Sequence, residues 1–87
     1  MKKALINRAL TDETIPKQYR LNKIEKEFIK LHFMEGLSKK DAARKLGYKE
    51  STAAPVARRY LGSEKGDGLD GVAMKKLMAA VKYLQRE

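Results

Sequence analysis

Between Leu21 and Leu61 the chain is cut twice by glycine, at Gly36 and Gly47, and the apolar residues between the cuts recur at spacings of three and four. That combination leaves room for three short helices and little else. Leu21, Ile24, Phe28 and Leu31 share one face of a helix expected over 23–35. Asn22 is placed to cap it, Glu25 to answer the cap three residues on, and Gly36 to end it in a left-handed conformation. Ile29 and Phe33 fall away from that stripe, which predicts a central helix contacted on two sides, by the N-terminal segment or by the last helix. A second helix of about two turns is expected from Ser38 as cap, with Asp41 at its third position. It carries Ala42, Ala43 and Leu46 inward before Gly47 stops it. The third places Ala53, Val56, Ala57, Tyr60 and Leu61 on one face and turns Arg58, Arg59 and the Thr52 edge outward. Ser51 is its best cap by residue type. Pro55 would then sit at the fourth helical position, so the alternative start is Pro55 itself.

Residues 1–20 read as a basic arm or short helix, frayed unless it docks, because an isolated helix of that length is marginal in water. Residues 62–71, with four glycines, read as a mobile connection or an ordered turn. Residues 72–87 read as an amphipathic helix, with Asp70 as candidate cap. Its stripe of Met74, Leu77, Met78, Val81 and Leu84 is available either to cover the core of the same chain, the default, or to form a homodimer or higher oligomer. With 87 residues the chain suffices for one core. The expected fold is all-α: a small helical bundle containing a helix-turn-helix in residues 21–61, followed by the Gly-rich loop and a C-terminal amphipathic helix.

Twenty Lys and Arg against eleven Asp and Glu give a formal net charge of +9, with most of the excess before Gly62. Such a surface attracts polyanions, nucleic acid above all. The lack of cysteine excludes a disulfide scaffold and thiolate metal sites, and the single His32 is expected to be structural. There is no GxxxxGK[ST], HExxH or GxSxG motif and no acid–base pair, so neither an enzyme nor a cofactor is expected. No apolar run approaches a membrane span, so the cytoplasm is the expected location.

The order of helix, short helix, tight Gly47–Glu50 connection and helix with outward arginines is that of a helix-turn-helix, whose last helix enters the major groove of duplex DNA. Arg58 and Arg59 are the candidates for base edges or phosphates. Ser51, Thr52 and Lys49, at the start of that helix, are candidates for phosphate oxygens, as are Lys39 and Lys40 at the start of the preceding one. The basic Lys2, Lys3 and Arg8 offer a further arm for a DNA backbone or minor groove. The competing reading is a protein-binding adaptor or inhibitor of a nucleic-acid machine.

Leu21, Phe28 and Gly36, followed by Ala42-Ala43, Gly47-Tyr48 and Thr52-Ala53, form a pattern of about forty residues. In that pattern the sequence resembles the N-terminal DNA-binding domain of bacteriophage terminase small subunits. It implies a helix-turn-helix that recognises a packaging start site in the host cytoplasm, and oligomers that deliver DNA to a large ATPase-nuclease subunit. A viral or prophage regulator built on the same unit is the related alternative.

Overall fold

The computed structural model describes residues 3–63 and 70–86. These residues are all-α, with five helices: α1 (Lys3–Thr11), α2 (Lys23–Ile29), α3 (Lys39–Lys45), α4 (Glu50–Leu61) and α5 (Val72–Gln85). A short 3-10 turn at Lys17–Tyr19 precedes α2, and a π-helical turn at Lys30–Met34 extends it.

Helix α2 forms where the capping pattern places it. The Asn22 side chain accepts from the Glu25 amide at 2.9 Å, and the Glu25 carboxylate accepts from the Asn22 amide at 2.8 Å. The helix then widens: the Glu35 amide reaches back five residues to the Lys30 carbonyl, and Leu37 reaches Leu31 across Gly36, whose φ is +76°. His32 donates from Nδ1 to the Leu37 carbonyl at 2.7 Å and so holds this turn closed. Phe28, Ile29 and Leu31, spread over more than one face of the helix, are all buried because α2 is contacted on several sides. As the two-sided pattern predicts, α2 is central, touching α3, α4 and α5.

Helix α3 is capped by Ser38, whose Oγ accepts from the Asp41 amide at 3.0 Å. It packs most closely against α4. Both helices turn alanines to the core at Ala42, Ala43, Ala53 and Ala57, all buried, so the backbones approach with little side chain between them. Gly47, at φ +97°, turns the chain between the two. The Phe28 ring stacks on Tyr60, with centroids 4.8 Å apart, and more loosely on Tyr48 at 6.1 Å. Such pairs contribute about 0.5–1.5 kcal/mol beyond area burial.

The start of α4 differs from both expectations. Lys49 is the N-cap, without a side-chain cap bond, and its carbonyl accepts from the Thr52 and Ala53 amides. Ser51 is therefore already helical, and Pro55 lies inside the helix rather than opening it. The missing N–H of Pro55 costs the Ser51 carbonyl its helical donor. This is tolerated because both residues are exposed, where water can satisfy the carbonyl.

Residues 3–20 are not a frayed arm. Ile6, Ala9 and Ile15 are 1%, 4% and 1% exposed and belong to the common core, and α1 packs on α5. Arg20 fastens the turn that follows by donating to the Glu13 and Ile15 carbonyls at 3.0 and 3.1 Å. Docking supplies what a nine-residue helix lacks in isolation.

Helix α5 buries Met74, Leu77, Val81 and Leu84 together with Ala73 and Ala80, against α1, α2 and α4. The stripe offered for self-association is thus occupied within the chain, with Met78 at its half-buried margin. Asp70 is not the cap of α5; its carboxylate accepts from the Ser63 amide at 3.3 Å, and Gly71 takes the cap position. Gly71 lies directly on the end of α4: a Cβ there would come within 2.6 Å of the Tyr60 carbonyl. Both ends of the Gly-rich connection are therefore pinned to each other, while residues 64–69 lie outside the described residues.

One buried charge ties the bundle together. Glu25, 1% exposed, accepts from Lys76 Nζ on α5 at 2.9 Å through the oxygen that also answers the Asn22 cap. Glu25→Ala is expected to cost about 2–3 kcal/mol in urea unfolding, because it strips a cap and an ion pair together, while the partly exposed Lys76 recovers some hydration. Lys76→Ala is expected to cost more than a surface pair, since it leaves the carboxylate buried. Gly71→Ala should lower the thermal midpoint by forcing α5 away from the end of α4, measured by circular dichroism.

Candidate nucleic-acid interface

Helix α4 determines which groups the site displays. Ala53, Ala57 and Leu61 are buried, and Val56 and Tyr60 pack against the core. At 100° per residue that leaves Ser51, Thr52, Ala54, Pro55, Arg58 and Arg59 on an outward arc of roughly 160°, and all six are exposed. Ser51, Pro55 and Arg58 run along its middle. The inward Val56 and Tyr60 and the outward arginines required by the sequence reading are thus found together.

The head of α4 carries an acid, Glu50, which is neutralised locally. Arg44 grips it with two donors, Nε to Oε2 at 2.7 Å and Nη2 to Oε1, and Lys40 Nζ lies 2.9 Å from Oε1. Arg44 also pairs with Asp41 at 2.7 Å. The Arg44 hydrogen bonds first, and the Lys40 bond after them, hold the Glu50 carboxyl down to about 2, while the hydrogen bonds to Glu50 and then to Asp41 raise Arg44 further above its ordinary value. Neither Arg44 nor Glu50 is evident as a functional position from helical spacing, because their bond crosses the turn between α3 and α4.

The sequence-predicted residues divide into two groups. Arg58 and Arg59 stand exposed on the arc, with Ser51 and Lys49 exposed near its start. The Thr52 hydroxyl donates to the Lys49 carbonyl at 3.1 Å, which leaves its lone pairs outward. Lys40 is engaged by Glu50. Lys39, a candidate for phosphate oxygens, is half-buried: its Nζ donates to the Gly62 and Ser63 carbonyls at 3.3 and 2.9 Å, so it acts as a cationic cap on the C-terminal end of α4. Lys39, Lys40, Ala54, Pro55, Arg58 and Ser63 line a single cleft of about 820 Å³ between α3 and α4. Three cations meet there. In the arm, Arg8 pairs with Asp12 at 3.6 Å, and Lys2 lies outside the described residues.

A second, shallower groove of about 570 Å³ is lined by Asn22, Lys23, Ile24, Glu27 and Leu46, and its one cation and one anion offset each other. Among the described residues no group of three His, Cys, Asp or Glu is placed to hold a metal ion, and no helix is long and apolar enough to cross a membrane.

Because the Glu50 carboxyl is lowered in the folded state, its stabilising contribution is complete above its ordinary value of 4.5 and is lost as pH falls toward about 2. The stability difference between the wild type and Glu50→Gln should therefore be largest near neutrality and close progressively between those limits, in paired thermal unfolding curves. No family model, curated protein or solved structure matches the chain, so the reading of this surface stands on its geometry and charge.

Proposed function

We propose that the chain binds duplex DNA, with α3, the Gly47 turn and α4 acting as a helix-turn-helix and α4 lying in the major groove. The observation that carries this reading is the outward arc of α4, which presents hydroxyls at its start, two arginines at its end and no carboxylate between them. Glu50, the one acid at its head, is neutralised by Arg44 and Lys40. A groove about 12 Å wide admits a helix, and an arginine there can place two donors on guanine or neutralise a phosphate. In the cleft between α3 and α4, Lys39 and Arg58 give an adjoining phosphate strand a positive wall. Through the resemblance of residues 21–61 to terminase small-subunit domains, the duplex is a phage packaging-start site or a viral operator.

Arg58→Ala and Arg59→Ala are each expected to weaken duplex binding by about 1–3 kcal/mol, tenfold or more in the middle of that range, with helicity unchanged because both side chains are solvent-facing. Fluorescence anisotropy at two salt concentrations supplies the second readout, since each phosphate contact adds about 0.9 to the slope of log affinity against log salt. A flat titration, or unchanged affinity in the double variant, overturns the proposal. Loss of any duplex shift together with capture of a nuclease-resistant protein partner supports the adaptor reading instead.

A further inference from the structure

Pro55 stands inside α4 with its ring exposed, so core packing does not account for an apolar residue there. Pro55 lies at the middle of the outward arc, one turn after Ser51 and one turn before Arg58, with the exposed methyl of Ala54 beside it. The otherwise polar arc therefore carries two adjacent apolar side chains, one at its middle and one at its edge. Ala54, Pro55 and Arg58 also border the same cleft.

We infer that Ala54 and Pro55 form a seat for the C5-methyl group of thymine, and that the chain selects duplexes in which thymine lies close to the guanine read by Arg58 or Arg59. The inference rests on the proposal that α4 enters the major groove. In that groove the thymine methyl is the one apolar feature presented by the four bases, while guanine N7 and O6 accept from arginine. Arg58 and Arg59 lie three and four residues beyond Pro55, within one turn of it, so the guanine they read lies close to the thymine. An apolar seat also rejects the competing bases, because the exocyclic amine of cytosine or adenine would lose its hydration there without gaining a partner.

The test is selection of a randomised duplex pool by the intact chain, followed by resynthesis of the selected duplexes with deoxyuridine in place of thymidine. Deoxyuridine removes only the methyl group. Enrichment of thymine within a few base pairs of guanine is expected, with an affinity loss of about fourfold for each contacted methyl removed. The Ala54→Ser/Pro55→Ser variant should bind the thymidine and deoxyuridine duplexes equally. Its thermal midpoint should be at or above that of the wild type, since residue 55 regains the N–H that bonds the Ser51 carbonyl, which separates lost recognition from lost folding. Equal affinity of the wild type for both duplexes, or discrimination preserved in the variant, overturns the thymine seat while leaving DNA binding intact. A pool from which nothing is enriched and no duplex is retained overturns the DNA reading and the seat together.

Discussion

The rotation of α4 about its own axis decides what the rest of the surface means, and it is fixed from inside. Ala53, Ala57 and Leu61 are almost completely buried, and Tyr60 lies flat against Phe28 of the central helix. Turning α4 by one residue would bring an arginine into that stack and carry an alanine out to water. The desolvation cost of an unpaired guanidinium far exceeds the value of any contact so gained. Phe28 is itself carried by α2, whose start is fixed by the capping box, so the display of Arg58 and Arg59 follows from a chain of contacts that begins at Asn22.

Two carboxylates show how the chain handles its acids. Glu25 is taken inside, where its oxygen serves the first turn of α2 and Lys76 of α5 at once. Glu50 stays at the surface but is surrounded by Arg44 and Lys40. Both are placed where negative charge favours the beginning of a helix. Neither is left to project from the outward arc of α4, which would weaken the attraction of that arc for a polyanion.

Local signals in the sequence were accurate where the physics is local. The caps at Asn22 and Ser38, the stops at Gly36 and Gly47 and the inward side of α4 depend on residues within one or two turns, and all are found in the structure. One departure is local, the start of α4 at Lys49 rather than at Ser51 or Pro55; the others lie where distant parts of the chain meet. Docking of α1 requires α5, more than sixty positions away. Lys39 is drawn from the open surface by carbonyls at Gly62 and Ser63, and Asp70 is drawn from its capping role by the Ser63 amide. At the candidate site, helical periodicity is enough to place Arg58 and Arg59 outside, but it carries no information about which lysines are already engaged. Lys39 and Lys40 read alike as adjacent cations, yet one closes α4 at its end and the other pairs with an acid at its beginning.

This division among the cations follows from their chemistry. A lysine ammonium is a compact donor on a flexible stem, suited to reach a pair of backbone carbonyls or a carboxylate wherever they lie, as Lys39, Lys40 and Lys76 do. Arg44 uses its planar fork for the single bidentate grip at the turn, where geometry fixes the angle between α3 and α4. The two arginines on the outward arc keep that same fork presented to solvent. In the proposed docking, Lys39, Lys40 and Arg44 hold α4 at its height and tilt, while Lys76 ties α5 to α2. Arg58 and Arg59 then meet the groove with geometry already set, so little ordering of the scaffold remains to be done at the moment of contact.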